Sequence, residues 1–223
     1  VHAPKFRPAL TRRHFAGAAL AALAARPAWA LSFPAASRIN CKVFRGATEI
    51  GTADYVFTPS GDRLAVAVDV DIRVRVGFIT LFSYRHHNLE HWVGDRLLEF
   101  TAHTLRNGAQ GYAYARWNGT GLAVTGSQTA PYVAPPNAIG TSYWNFRTVS
   151  DPLIDTQNGR LLKVAVTEQG PGAALQADGT SVPATEYTVN GEIRLNLWYT
   201  SANDLAGLQY YAHDGSILSY ERS

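Results

Sequence analysis

The stretch "AVAVDVDIRVRV", residues 65–76, decides the fold. From Val66 to Val76 every second side chain is valine or isoleucine, and between them stand Ala67, Asp69, Asp71, Arg73 and Arg75. A period of two belongs to a β-strand, whose successive side chains point to opposite faces. One face is aliphatic; the other carries two acids and two bases. An outer-membrane barrel would turn such aliphatics toward lipid and the charges toward its lumen. The C-terminal "SYERS" lacks the terminal aromatic of such barrels, and Glu186–Asn190 is too short and polar for a hydrocarbon band. The aliphatic face is therefore expected in a water-soluble core, with the four charges toward solvent or a wide groove.

The same alternation recurs along the chain, best at Arg63–Val76, Phe78–Val93, Arg96–Leu105, Tyr112–Trp117, Leu161–Glu168 and Glu192–Tyr199. Between such runs stand Gly61-Asp62, Gly94-Asp95, Asn107-Gly108, Asn118-Gly119, Asn158-Gly159, Asn190-Gly191 and Asp214-Gly215. Asn-Gly and Asp-Gly favour the positive φ of tight hairpins, which join antiparallel neighbours. The expected fold is all-β: an antiparallel meander of about 11–13 strands forming a closed or partly open barrel. One stretch, 127–152, breaks the rhythm with Pro131, Pro135, Pro136 and Pro152 and with Tyr132, Tyr143, Trp144 and Phe146. This long Pro- and aromatic-rich loop is expected to fold over an open barrel end, as a structural plug or as a functional lid, with a short helical turn near Thr141–Phe146.

The chain has 223 residues, 46% hydrophobic and 17% charged, enough for one good-sized core. Its net charge of +3 comes from residues 1–30, which hold five bases and no acid; the remainder is −2. A nucleic-acid footprint is absent from that remainder. Cys41, the single cysteine, alternates into the apolar face of its strand, so a buried, inert thiol is expected.

Residues 11–30, "TRRHFAGAALAALAARPAWA", have a basic start, an apolar run and small residues at Ala28 and Ala30. That is the plan of an export signal, too short and alanine-rich for a membrane span. Arg12, Arg13 and Phe15 resemble the twin-arginine motif. The resemblance implies a bacterial protein exported already folded to the periplasm or beyond, with the twin-arginine machinery and a signal peptidase as partners and no membrane span after cleavage. The expected layout is a signal peptide over 1–30 and a single barrel-like domain over 31–223.

Chemistry is sparse. In "RHHNLEHW", 85–92, His87 and His91 share one strand face, while His86, Glu90 and Trp92 share the other. His87 and His91, completed by His103, are the candidate metal ligands. A metal-dependent or hydrolytic enzyme would draw on His86, His87, Glu90 and His91. No G-x-S-x-G or phosphate-binding glycine pattern is present, no cofactor is expected and catalytic residues stay unassigned. Aromatic residues Trp92, Trp117, Tyr132, Trp144 and Trp198 are the candidate ligand-binding set, either for a hydrophobic or amphipathic, lipid-like molecule or as ordinary core packing.

The order of landmarks completes the reading. Gly46–Gly51 ("GATEIG") precedes the long charged strand; then come "HHNLEHWVGDRL", "TLRNG", "YW", "LIDTQNG", "YTVNGEIRLNLWYT" and "AHDGSILSYE". This series resembles, over nearly all of Ser37–Tyr220, a group of exported bacterial β-rich proteins known as a domain of unknown function. The resemblance implies a fold and supplies no catalytic residues. A binding or scaffold role, for a hydrophobic ligand or an envelope partner, is the favoured expectation; the enzyme is the alternative.

Overall fold

The alternating segments become strands of one sheet in a computed structural model, which describes residues 36–212 and 214–223. The leader residues Arg12, Arg13, Phe15, Ala28 and Ala30, and His213, lie outside the described residues. In chain order the strands are β1 (Arg38–Arg45), β2 (Thr48–Ser60), β3 (Arg63–Val76), β4 (Ile79–Val93), β5 (Arg96–Arg106), β6 (Ala109–Trp117), β7 (Leu122–Gly126) and β8 (Thr129–Ala134). After two short pieces, β9 (Ile139–Gly140) and β10 (Leu153–Ile154), come β11 (Val164–Leu175), β12 (Ser181–Gly191), β13 (Leu195–Tyr199), β14 (Leu205–Tyr211) and β15 (Ile217–Arg222).

Thirteen strands form one antiparallel sheet in the order β11-β12-β13-β14-β15-β1-β2-β3-β4-β5-β6-β7-β8. Its first and last strands, β15 and β1, pair with each other in the middle, so the sheet curls around its interior. Strands β8 and β11 stay unpaired edges, and the barrel is open along that seam. Each hairpin dipeptide named above places its glycine at positive φ; at Asn107-Gly108 both residues are positive, the type I′ requirement. Pro131 falls within β8, so residues 129–134 are strand rather than loop. An edge strand tolerates a residue with no N–H to donate.

The alternation sorts residues as expected. Val66, Val68 and Ile72 are buried in the core with Ile39, Val43, Tyr55, Phe57 and Leu64. Each fully buried aliphatic contributes roughly 1.5–3 kcal/mol. Asp69 and Arg73 are exposed on the outer face. There Asp69 pairs across the strands with His87, as Glu99 does with Arg116 one hairpin on, while Arg73 pairs with Asp71 of its own strand. Cys41 is buried, and burial pushes its thiol pKa up to about 12.

The segment 135–163 joins the two edges by running through the interior. It contains a parallel β9–β10 pair and a 3-10 turn, Phe146–Val149, capped by the Asn145 side chain accepting from the Arg147 N–H. Three ties hold it. Arg147 donates to the Asp95 carbonyl at the β4–β5 turn and pairs with Asp151. The Tyr132 hydroxyl donates to the Gly159 carbonyl at 2.9 Å. Gly126 meets the Asn158–Gly159 backbone so closely that a Cβ on it would lie 2.1 Å from the Asn158 oxygen. A buried carboxylate on β4 adds a fourth.

Candidate functional site

Strand β4 turns an unusual set of side chains inward: His86, Asn88, Glu90 and Trp92 are all buried. Burying polar groups is costly unless each finds a partner. The wall and the interior segment together supply them, save for the Asn88 Oδ1. Glu90 accepts from the indole N–H groups of Trp92 and Trp144 on Oε2, both at 2.9 Å, and from the Asn88 amide on Oε1 at 2.9 Å. Burial raises the Glu90 pKa, and hydrogen bonds from Ser142, Trp144, Trp92 and Asn88 oppose the rise. His86 hydrogen-bonds Thr104 through Nδ1 at 2.9 Å and Thr156 through Nε2 at 3.3 Å. Burial lowers its pKa to about 4, helped by His87. Glu90 is enclosed on all sides by donors and aromatic rings, an anchor for the plug rather than an acid open to substrate.

Beyond Glu90 the interior is not filled. A cavity of about 140 Å³ lies between the wall and residues Thr141–Tyr143, Thr156 and Gln157 of the segment. Five tyrosines line it, Tyr55, Tyr84, Tyr143, Tyr210 and Tyr220, with Val68, Val70, Ile72, Phe82, Leu208 and Leu218 between them. Burial raises the hydroxyl pKa of all five, so they stay neutral donors and acceptors. Tyr143 holds φ at +64°, an unfavourable backbone for a bulky side chain and of the kind that collects at binding sites. The exposed Arg106 stands at the rim, its guanidinium 5.8 Å from the Phe82 ring centre. It pairs with no carboxylate among the described residues.

The outer face carries a second polar group. His87 Nδ1 lies 2.7 Å from Asp69 Oδ1, and His103 stands opposite His87 in the β4–β5 register. The Tyr114 hydroxyl is 3.4 Å from His103 Nε2, and Tyr112 stacks on Tyr114 at 5.3 Å. The Asp69 and His87 side chains are 60% and 52% exposed, so water screens the pair.

The candidates from sequence therefore separate. His86 and Glu90 lie inside, His87, His91 and His103 outside, and no three His, Cys, Asp or Glu side chains gather to hold a metal ion among the described residues. Of the aromatic set, Trp92 and Trp144 meet edge to face at 5.5 Å around Glu90. Trp117 lies under the Arg96 guanidinium, 4.7 Å from it. Tyr132 is tied to the segment by its hydroxyl, and Trp198 packs in a small separate cluster with Ala174, Ala184 and Ala206. None of the five lines the 140 Å³ cavity. Its tyrosines come from β2, β4, β14, β15 and the interior segment; Tyr84 shares the inward face of β4 with His86, and Tyr143 belongs to the aromatic-rich stretch 127–152.

The profile of a domain of unknown function, DUF6134, matches residues 42–223. No curated protein matches the chain. Among solved structures, it is similar to the crystal structure of a beta-barrel-like protein of domain of unknown function DUF1849 from Brucella abortus. The two share 10% identity over 83% of this chain and 94% of that one, with a TM-score of 0.58. At that identity the likeness is one of fold, and it agrees with the curled, incompletely closed sheet. With its profile running from β1 to the last residue, the chain belongs to the DUF6134 family of unknown function.

Proposed function

We propose that the protein is an exported binding protein whose open barrel end takes the apolar part of an anionic amphipathic molecule. The observation that carries this reading is the cavity with Arg106 at its rim. Its 140 Å³ approaches the roughly 150 Å³ of an apolar cavity that accepts benzene. That suits a ring or the end of an acyl chain, with the remainder of the molecule outside. An anionic head held near Arg106 would find a cation already free of carboxylates.

Export as a folded chain to the periplasm or beyond is part of the proposal. It is supported by Arg12, Arg13 and Phe15 ahead of an apolar run and Ala28 and Ala30. A chain with one cysteine, buried, can finish folding before export without an oxidising compartment.

Two measurements test the binding reading. Native mass spectrometry of gently purified protein is expected to show a co-purified amphipathic molecule. Titration with the fluorescent fatty acid cis-parinaric acid is expected to saturate, with Arg106→Gln weakening it by roughly tenfold, the worth of a charge-assisted hydrogen bond. A wild-type protein that carries nothing and gives no saturable signal would overturn it.

A further inference from the structure

The β3–β4 hairpin outgrows its sheet. Pairing of β2 with β3 stops at Gly51–Ile72, and pairing of β4 with β5 stops at Tyr84–Arg106. Residues 73–82 pair only within their own hairpin, from Arg73–Ser83 to Val76–Ile79. The tip extends roughly 15 Å past the neighbouring ladders, at about 3.3 Å per residue. Every residue from Arg75 to Leu81 is exposed. Among them are Val76, Phe78, Ile79 and Leu81, with Phe78 at the apex wholly in solvent. Four large apolar side chains on one projecting tip are unlike the single exposed apolar residues of an ordinary surface.

We propose that this hairpin docks the protein on an anionic lipid surface, with Phe78, Ile79 and Leu81 entering the acyl boundary. Charge and shape both favour lipid over a protein partner. At this end the acids Asp71, Asp214 and Glu49 are each paired, with Arg73, Arg45 and Lys42. Arg75, Arg85 and Arg106 have no carboxylate partner among the described residues. A positive flank behind an apolar tip matches the layering of acyl chains beneath anionic headgroups. A seven-residue finger is far short of the roughly 20–30 residues a side that a stable protein interface takes. The finger stands beside Phe82 and Arg106 at the cavity rim, so docking sets the cavity mouth toward the lipid. The docking goes beyond the binding role proposed above and stands without it: vesicles test it with no soluble ligand, and the fatty-acid titration tests the cavity with no vesicles.

The test places an environment-sensitive thiol dye on Phe78→Cys and, as a control, on Ser201→Cys in the exposed β13–β14 turn at the opposite end. Buried Cys41, with its pKa near 12, leaves the introduced thiol as the reactive one. On adding vesicles of phosphatidylglycerol and phosphatidylethanolamine, the dye at position 78 is expected to shift to the blue and the dye at position 201 to stay unchanged. Arg75→Gln is expected to weaken partitioning about fivefold, the worth of one basic residue near such a surface, and high salt to weaken it further. No shift at position 78, equal shifts at both positions, or a shift at position 78 that appears with protein concentration alone, as self-association would give, each overturn the proposal.

Discussion

Glu90 and Trp144 meet across the barrel interior: the Trp144 indole N–H, in the segment between β8 and β11, donates to Glu90 Oε2 on β4 at 2.9 Å. One carboxylate oxygen thereby joins the wall to the chain that plugs it, because the same oxygen also accepts from Trp92. Trp144→Ala is expected to cost about 3–5 kcal/mol in urea unfolding, through lost packing against Phe57 and Trp92. Glu90→Ala leaves two buried indole donors without an acceptor and is also expected to cost several kcal/mol. The two variants together are expected to cost less than their sum by about 1–2 kcal/mol, and strict additivity would contradict the coupling. Glu90→Gln is the mild change. It keeps an oxygen for the indoles, and its new amide is accepted by Asn88 once that side-chain amide flips to present Oδ1, which is otherwise buried without a partner.

Acid sensitivity follows from His86. Its folded pKa, about 4, lies below the unfolded value of 6.5, so the unfolded chain binds the proton more readily. The stability from keeping this ring neutral is complete above pH 6.5 and is lost as pH falls from 6.5 to 4, on the order of 3 kcal/mol. Glu90 works in the opposite sense. Its folded pKa is raised above 4.5, so its contribution is complete below 4.5 and lost as pH rises through the folded value. Unfolding free energies measured from pH 4 to 8 are expected to flatten on the acid side in His86→Asn and on the upper side in Glu90→Gln. An unchanged acid slope in His86→Asn would remove His86 as the cause.

The two faces of β3 predict opposite tolerances. Val66 is fully buried, and Val66→Asp places an unpaired carboxylate in the core at a cost of several kcal/mol, comparable to total stability. Asp69→Asn, on the exposed face, gives up a screened pair with His87 and is expected to cost at most about 1 kcal/mol. Equal melting temperatures for the two variants would contradict the assignment of faces.

Export is tested apart from the fold. Changing Arg12 and Arg13 to lysine is expected to hold folded precursor in the cytoplasm. Secretion of that variant at the wild-type level, followed by fractionation and immunoblotting, would contradict the twin-arginine reading.

Much of the wall was legible because a strand's period is local. The alternation at 63–76 coincides with β3, and Asn107-Gly108 marks a tight hairpin. What crosses the interior was not. Trp144 is 54 positions from Glu90, and no local pattern announces that a carboxylate on the Trp92 face will find a second indole there. Pro131 argued against a strand, yet an edge position removes the objection. The cavity is a space left between five tyrosines from distant parts of the chain, which no period of two or 3.6 encodes. The sequence places the hairpin tip within two strands, and its projection depends on where β2 and β5 stop pairing.

The most direct measurement fills the cavity from its wall. Leu218 of β15 lines it, half-buried, and Leu218→Trp adds a ring where the structure has space. Cis-parinaric acid titration and thermal melting are run on this variant and on the wild type. The account predicts saturable binding by the wild type, and a variant that melts within a few degrees of it while its affinity falls tenfold or more. Undiminished affinity in a folded Leu218→Trp protein would contradict the claim that the open barrel end is the binding site.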